Sequence, residues 1–173
     1  FKNSNKILVS TFDYFKNYSP KLFKKFETKI IEFPFGINLN EFRVQEKDSE
    51  IIKKYNLENK KILLFVAGLD KPHYFKGLEI LLKALSGLDE SYFCLIIGSG
   101  DLKNHYENIA KNLNISNKLF FVGSLENKEL KKYYSICDCF IFPSLTRSEA
   151  FGIVQIEAMA SSKPVIYSDL PGV

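Results

Sequence analysis

Lys61–Gly68 reads KILLFVAG, an apolar run that a glycine closes. The segment after it, KGLEILLKALSG (Lys76–Gly87), carries four leucines at the spacing of one helix face. A second apolar run, YFCLII (Tyr92–Ile97), follows and also ends at a glycine. Strands that are apolar along their whole length are buried on both faces. The pattern therefore predicts a parallel sheet covered by helices on each side.

This alternation continues along the rest of the chain. The next units are a helix over Asp101–Leu113, a strand over Lys118–Val122, a helix over Glu126–Ser135, a strand over Asp138–Phe142, a helix over Phe151–Ser161 and a strand over Pro164–Tyr167. Asp101 is a candidate N-cap for the first of these helices. Right-handed crossovers between such strands give an α/β, doubly wound, Rossmann-like domain, whose ligands bind beyond the carboxyl ends of the strands.

The first sixty residues do not fit this unit. They predict a short strand over Lys6–Val9, a helix over Phe12–Phe26 with a break at Ser19-Pro20, and a second strand over Lys29–Phe33. Turn residues follow over Pro34–Phe42, and Gln45–Ser49 is a polar link. We interpret residues 1–40 as the tail of a preceding domain and residues 41–173 as a second domain, with the sequence truncated upstream and at its C-terminal end.

Composition limits the classes of function. The chain has 173 residues, of which 46% are hydrophobic and 25% charged, typical of a globular protein, and no apolar run is long enough to cross a membrane. Residues 1–60 hold twelve Lys and Arg against eight Asp and Glu, so the whole net charge of +4 belongs to them. A solvated basic surface and attraction to an anionic membrane both explain this excess. No module typical of nucleic-acid binding is present.

The three cysteines, at positions 94, 137 and 139, lie in apolar surroundings. Their odd number and the Cys137-Asp138-Cys139 spacing do not fit a zinc site, so we expect reduced, buried thiols in a cytoplasmic protein, with the inner face of the membrane as an alternative location.

Two acids accompany the apolar helix that begins near Phe151. In SEAFGIVQIEAMA, Glu149 stands before the helix and Glu157 lies about two turns inside it. A helix N-terminus suits a phosphate, and Gly152 allows a close approach to the backbone. Glu157 could accept hydrogen bonds from a vicinal diol such as a ribose. The alternative is a structural acid paired with a nearby lysine.

Two further loops are candidates. GLDKPHYFKG (Gly68–Gly77) is long for a strand-to-helix connection and carries Lys71, His73 and Lys76. Its lysines suit a diphosphate or are simply solvated, and we interpret His73 as a loop or packing residue. Gly98-Ser99-Gly100 forms a second turn, which alone is a weak signal. No GxGxxG follows the first strand, which argues against a dinucleotide dehydrogenase.

Taken together, these segments resemble the retaining, nucleotide-sugar-dependent glycosyltransferases of group 1, or family 4, which have the GT-B fold. EAFGIVQIEAMASSKPVI matches the family's E-x7-E signature through Glu149 and Glu157, and SDLPGV follows as its glycine-bearing loop. FVAGL…KG matches the phosphate-side loop with its lysine at Lys76, and LIIGSGDL its Gly-x-Gly turn. NKLFFVGSLENKELKKYYSICDCFIFPS is similar to the base-pocket segment, and IIEFPFGINLNEF to the interdomain hinge.

The resemblance implies that residues 41–173 are the donor-binding C-terminal domain of a GT-B enzyme and residues 1–40 a remnant of the acceptor domain and hinge. It implies these roles: Glu157 on the ribose, Glu149 on the donor sugar, Lys76 on the departing diphosphate, the amides of Phe151, Gly152 and Ile153 on sugar and diphosphate, Gly98 and Gly100 in the glycine turn, and Val122 and Gly123 at the base. Leu69-Asp70 stands where the family has an arginine, and Lys71 is the nearest replacement. Ser162 stands where a helix-ending glycine is common.

The expected reaction transfers a sugar from a UDP-, GDP- or ADP-sugar to a hydroxyl of a carbohydrate or lipid-linked acceptor, with retained configuration and without a metal or other cofactor. The resemblance places it in polysaccharide or glycolipid assembly, and peripheral membrane association fits the basic first third. A GT-B-like epimerase or phosphorylase and a non-catalytic nucleotide-binding module are the alternatives. We expect this stretch alone to bind nucleotide and to be inactive in transfer, since acceptor-side residues lie upstream.

Overall fold

The computed structural model describes residues 1–171 and contains two parallel sheets. Its strands are β1 (Ile7–Val9), β2 (Ile30–Glu32), β3 (Lys61–Val66), β4 (Tyr92–Ile97), β5 (Leu119–Gly123), β6 (Cys139–Phe142) and β7 (Val165–Tyr167). Its helices are α1 (Phe12–Tyr18), α2 (Pro20–Phe26), α3 (Ser49–Lys54), α4 (Leu78–Ser86), α5 (Lys103–Asn112), α6 (Asn127–Ile136) and α7 (Ile153–Ala160). Short 3₁₀ turns occupy Glu27–Lys29, Lys71–Lys76 and Ser116–Lys118.

The larger sheet confirms the predicted doubly wound architecture. Its five strands are parallel and lie in the order β5-β4-β3-β6-β7. On the central strand β3, neighbouring residues Leu64 and Phe65 are 0% and 2% exposed, so both faces are covered. Leu64 packs in a cluster that includes residues of α3, α6 and α7, whereas Phe65 packs in one that includes residues of α4 and α5.

The order of the strands fixes the place of the binding crevice. From β3 the chain first adds β4 and β5 on one side and then returns to add β6 on the other. The loops that follow β3 and β6 therefore leave the same edge of the sheet and diverge to opposite faces, which is the topological switch at which such domains bind ligands.

Two local features differ from the sequence predictions. Residues 49–54 form the helix α3, which was not predicted and which begins at the last residue of the expected polar link, Gln45–Ser49. The Asp48 side chain caps this helix by accepting hydrogen bonds from the backbone N–H groups of Glu50 and Ile51. Asp101 does not cap α5, which begins at Lys103 with no side-chain cap. Its carboxylate instead accepts a hydrogen bond from the backbone N–H of Lys71, so it joins two loops at the edge of the sheet.

The first forty residues form a smaller unit. β1 and β2 pair in parallel with each other, and within residues 1–171 neither pairs with a strand of the larger sheet. The helix breaks at Ser19-Pro20 as predicted. This unit touches the larger one where Arg147 Nη1 donates to the carbonyl of Asn17 (3.2 Å). The assignment of residues 1–40 to a preceding domain stays a prediction.

The remaining sequence expectations concern thiols, membrane spans and the end of the chain. Cys94 and Cys137 are buried free thiols, as predicted, whereas the free thiol of Cys139 is only partly buried. Desolvation raises the pKa of Cys94 and of Cys137 to about 12. Over the described range, no helix is long and apolar enough to cross a bilayer. The expected glycine-bearing loop SDLPGV includes Gly172 and Val173, which lie outside the described residues.

Candidate functional site

Two adjoining cavities open at the switch point of the sheet. The first, of about 380 Å³, lies among the loops that follow β3, β4 and β5, and we call it the β4-side cavity. The second, of about 410 Å³, lies between the loop after β3 and the start of α7, and we call it the α7-side cavity. His73, Lys76 and Val154 line both cavities. The two spaces therefore adjoin at a shared wall, and we call them together the cleft.

A buried ion pair forms part of the wall of the α7-side cavity. Lys76 Nζ lies 2.6 Å from Glu149 Oε2, and the side chains are 17% and 6% exposed. Ser144 Oγ donates to the same carboxylate oxygen (2.8 Å), and the Lys76 ammonium lies 5.3 Å from the centre of the Phe142 ring. A low-dielectric setting strengthens this attraction, so the pair holds the loops after β3 and β6 together.

Gly77 permits that contact, and sequence reasoning missed it. Its φ is +76°, and a Cβ there would lie 2.0 Å from the carbonyl oxygen of Pro143. The backbones of the two loops therefore touch directly, and the Leu145 N–H donates to the Phe75 carbonyl beside them. The sequence contained a signal for this contact, namely a glycine directly after Lys76. The reason for that glycine is the close approach of the Pro143 backbone, which is distant in sequence.

The start of α7 is shaped by a second glycine. Gly152 has φ +72°, and a Cβ would lie 2.8 Å from two atoms of the Phe142 ring. The helix therefore begins at Ile153, and no side chain caps it. Phe151 and Ile153 also line the α7-side cavity, so the uncapped first turn of a helix stands at its wall. Such a turn offers N–H groups and partial positive charge to an anion.

Glu157 is buried next to this cleft and has no lysine partner among the contacts of residues 1–171. It is 8% exposed, and its Oε2 accepts a hydrogen bond from the Tyr134 hydroxyl (2.9 Å). The same hydroxyl lies 3.1 Å from the carbonyl of Val154, a residue that lines both cavities. Glu157 therefore lies one residue layer behind the cleft wall, and the lysine-paired alternative does not describe it.

Burial sets the electrostatics of this carboxyl group. Desolvation raises the pKa of Glu157, and the hydrogen bond from Tyr134 opposes that rise. Desolvation also raises the pKa of Tyr134 well above its ordinary value, and the nearby Glu157 carboxylate adds to the effect. Ionised Glu157 thus has one donor where a carboxylate can use several. The site can accept hydrogen bonds from a ligand that reaches it.

The glycine turn after β4 borders the β4-side cavity. Gly98 lines it, and a Cβ there would lie 1.8 Å from the Ala67 carbonyl oxygen. Gly100 does not line it; a Cβ at that position would collide with the backbone of Leu69, so its role is to let the loops after β3 and β4 cross. The Gly98 N–H donates to the Gly123 carbonyl (2.9 Å), which ties the turn to the end of β5.

The predicted base-side residues lie slightly behind the wall. Val122 packs against the hydrophobic core and Gly123 ends β5, and neither lines the cavity. The next residue, Ser124, does line it, and its hydroxyl lies 2.7 Å from that of Ser99. Sequence reasoning missed this hydroxyl pair, since its members are 25 positions apart.

The loop after β3 places His73, and not Lys71, at the two cavities. Residues 71–76 form a 3₁₀ turn, in which side chains three positions apart share a face. His73 and Lys76 consequently line the same cavities, whereas Lys71 is exposed and lines neither. The structure thus places Lys71 outside the cleft, and His73 is a wall residue and not merely a packing residue.

The predicted site is largely assembled. Lys76, Glu149, Phe151, Gly152, Ile153 and Gly98 line the two cavities, and Glu157 lies behind Val154. Lys71, Gly100, Val122 and Gly123 stay outside the walls. Between residues 1 and 171, no group of three or more His, Cys, Asp or Glu side chains is placed to hold a metal ion.

Residues 47–173 match the model of the family described as Glycosyl transferases group 1. Among curated proteins, uncharacterized glycosyltransferase MJ1607 from Methanocaldococcus jannaschii is 36% identical over 117 residues, which cover 66% of this chain and 29% of that protein. O-antigen chain mannosyltransferase RfbU from Salmonella typhimurium is 32% identical over 144 residues, which cover 72% of this chain and 40% of that protein. The chain therefore spans less than half the length of these relatives.

The fold is similar to that of solved glycosyltransferase structures. The crystal structure of Alr3699/HepE from Anabaena, in complex with UDP and glucose, superposes with a TM-score of 0.82 at 20% identity. The superposition covers 98% of this chain and 45% of that one. At this identity the likeness establishes a shared α/β fold.

Proposed function

The chain belongs to the group 1 glycosyl transferases, and from that premise we propose that its cleft binds a nucleotide-diphosphate sugar whose sugar is transferred to a hydroxyl acceptor with retained configuration. The observation that carries this proposal is the meeting of the Lys76–Glu149 ion pair and the uncapped start of α7 at one cavity. That combination offers a cation, free N–H groups and a carboxylate within one space.

The diphosphate is proposed to lie between Lys76 and the first turn of α7. When the bond from the anomeric carbon to the diphosphate breaks, negative charge grows on the leaving group. The Lys76 ammonium, once it turns from Glu149 to the diphosphate, and the helix-terminal N–H groups that already face this space stabilise the charge. The Lys76 ammonium and the helix N-terminus thus offset the charge of the leaving group, and we propose no metal ion.

Glu149 and Glu157 are proposed to hold the two sugars of the donor. Glu149 lines the α7-side cavity beside Lys76, so it is placed for hydroxyls of the transferred sugar once the diphosphate attracts that ammonium. Glu157, which lies behind Val154 and whose carboxylate accepts one hydrogen bond, from Tyr134, is proposed to accept the ribose hydroxyls. The base then extends into the β4-side cavity, past Gly98 toward Val122 and Gly123.

The acceptor is proposed to be a carbohydrate or a lipid-linked oligosaccharide at the cytoplasmic face of a membrane. The name of the mannosyltransferase relative, which refers to O-antigen, supports a polysaccharide product, and the UDP and glucose bound by the Anabaena protein support a nucleotide-sugar donor. The basic excess of residues 1–60 supports peripheral attraction to anionic lipid.

Because the chain spans less than half the length of these relatives, we propose that residues 1–173 alone bind donor but do not transfer its sugar. The direct test is a thermal-shift panel of UDP-, GDP- and ADP-sugars. At least one nucleotide sugar should raise the melting temperature, and Glu157→Ala should lose at least tenfold in affinity by calorimetry. Absence of stabilisation by every nucleotide would refute donor binding.

A further inference from the structure

His73 occupies a position in the cleft that neither the family signature nor the proposed donor contacts use. It lines both cavities together with Lys76, and its side chain is 46% exposed. Its Nδ1 lies 2.6 Å from Asp70 Oδ1, and the same oxygen accepts the His73 backbone N–H. The ring is therefore fixed from one side and open to the cleft on the other.

The ring also lies directly against the backbone after β3. A Cβ at residue 68 would lie 2.8 Å from His73 Nδ1, so Gly68 is the residue that leaves room for the imidazole. Because the 3₁₀ turn puts positions 73 and 76 on one face, His73 and Lys76 both line the shared wall. Asp70, Gly68 and the turn together orient His73 toward the cavities.

The partner of Nδ1 determines what the other ring nitrogen can do. A carboxylate only accepts hydrogen bonds, so Nδ1 carries a hydrogen and its N–H donates to Asp70. Nε2 is then free for the cleft, and in the imidazolium form it is a donor. The charged groups near it are Asp70 on its own loop, Lys76, and Glu149 across the α7-side cavity. Glu149 already balances the charge of Lys76. A second cation nearby would therefore stabilise the negative charge of a bound diphosphate.

We infer that His73 Nε2–H donates to the terminal phosphate of the donor diphosphate, next to Lys76, and so supplies the second cationic contact that the sequence led us to expect from Lys71. This inference rests on the proposed function, since it assigns a ligand group within the same cleft. His73 acts as a binding and charge-stabilising residue, held in place by Asp70 as its positioning residue.

The experiment compares nucleoside diphosphates with monophosphates. Calorimetry measures the affinity of UDP against UMP, GDP against GMP and ADP against AMP for the wild-type chain, His73→Gln and His105→Gln. His105 is the matched control, because it is also about half exposed and paired with a carboxylate, Glu79, but lies on α5 outside both cavities. His73→Gln should weaken the diphosphate about tenfold and leave the monophosphate unchanged within about twofold.

A spectroscopic measurement on the unaltered chain removes any dependence on folding of the variant. The chain has two histidines, so the ring signals in long-range ¹H–¹⁵N spectra are those of His73 and His105. Addition of the diphosphate should move the Nε2 signal of His73 toward the protonated position and leave His105 in place.

Three outcomes separate the hypotheses. Wild-type chain that binds no nucleotide would remove the proposed function and this inference with it. Diphosphate binding that is equal in wild type and His73→Gln, with no ring shift, would overturn the inference alone. Equal weakening of diphosphate and monophosphate would show that His73 only shapes the loop, which also overturns it.

Discussion

The two acids of the α7 region lie in contrasting surroundings. Glu149, before the helix, is held by the Lys76 ammonium and the Ser144 hydroxyl, so its charge is balanced inside the protein. Glu157, two turns further on, receives one hydrogen bond from Tyr134, and desolvation raises its pKa. The cleft thus has a charge-compensated end at the helix start and an under-compensated end behind Val154.

The difference indicates how each end meets a ligand. The proposed diphosphate would compete with Glu149 for Lys76 at the compensated end, so its binding would rearrange an existing ion pair. At the under-compensated end a ribose would bring hydrogen-bond donors that the protein does not supply. The Lys76–Glu149 pair therefore stabilises the fold. The desolvated carboxyl group of Glu157 instead destabilises the free protein, and a bound ribose would reduce that cost by donating hydrogen bonds.

Replacement of Lys76 tests the compensated end and has the largest expected effect. Lys76→Met leaves the buried carboxylate of Glu149 without its cation, and the loss of one partner from a buried pair costs about 3 kcal/mol. Urea denaturation should show this fall in the free energy of unfolding, and calorimetry a loss of diphosphate binding.

The matched control for that variant neutralises both partners. Lys76→Met combined with Glu149→Gln should recover most of the stability, because no uncompensated charge is left, while diphosphate affinity stays low. A double variant as unstable as the single one would show that Lys76 contributes by packing and not by charge.

Replacement of Glu157 tests the under-compensated end, with opposite effects on stability and binding. Glu157→Gln keeps an acceptor for the Tyr134 hydroxyl and removes the desolvated charge. The melting temperature of this variant at about pH 7 should therefore exceed that of the wild type. Its nucleotide affinity should fall about tenfold, because a neutral acceptor binds ribose hydroxyls less strongly than a carboxylate.

The raised pKa of Glu157 also predicts the direction in which the stability of the wild type changes with pH. Because the folded pKa of Glu157 lies above the ordinary value of 4.5, the folded chain retains this proton after the unfolded chain has lost it. Stability of the wild type relative to Glu157→Gln should therefore fall as pH rises from about 4.5 through the folded pKa. A difference between the two proteins that does not change with pH would contradict this account of Glu157.

The two ends of α7 offer the smallest and most local comparison. Gly152 before the helix and Ser162 after it both have positive φ, +72° and +56°. Gly152→Ala should lower the free energy of unfolding by roughly 2 kcal/mol, because it adds strain and a contact with the Phe142 ring. Ser162→Gly should raise it by about 0.5 kcal/mol, since glycine adopts this conformation without strain.

Gly36→Ala is the control for this pair. Nothing lies within 4 Å of a Cβ at residue 36, and its φ is outside the left-handed region. Its unfolding free energy should be close to that of the wild type. Equal effects of alanine at positions 36 and 152 would show that the start of α7 tolerates a side chain.

Features that depend on local pattern could be predicted from the sequence. Apolar runs closed by glycine predicted β3, β4 and β5, and burial on both faces explains the apolar sequence of the inner strands β3 and β4, whereas the edge strands β5 and β7 have exposed residues. The resemblance singled out Glu149 and Lys76, which line the α7-side cavity, and Glu157, which lies behind Val154, while the roles of all three stay predictions. The predicted ends of helices were less accurate where they depend on backbone conformation. The helix predicted from Phe151 begins at Ile153, because Gly152 adopts a left-handed conformation.

Features that depend on contacts distant in sequence could not be predicted. The Lys76–Glu149 pair joins residues 73 positions apart, and Glu157 pairs with Tyr134 instead of a lysine. The presence of His73 and the absence of Lys71 at the cavities follow from the 3₁₀ turn, a conformation that the sequence pattern did not indicate. The Asp101 carboxylate accepts a hydrogen bond from the backbone N–H of Lys71, 30 positions away, and does not cap α5; this contact too is distant in sequence.

A crystal structure of the chain with the nucleoside diphosphate that stabilises it most is the measurement that bears most directly on this account. We predict that the terminal phosphate lies between Lys76 and the first turn of α7, and that the ribose hydroxyls lie within hydrogen-bond distance of Glu157. Nucleotide bound elsewhere on the chain, or a ribose that leaves Glu157 paired with Tyr134 alone, would contradict it.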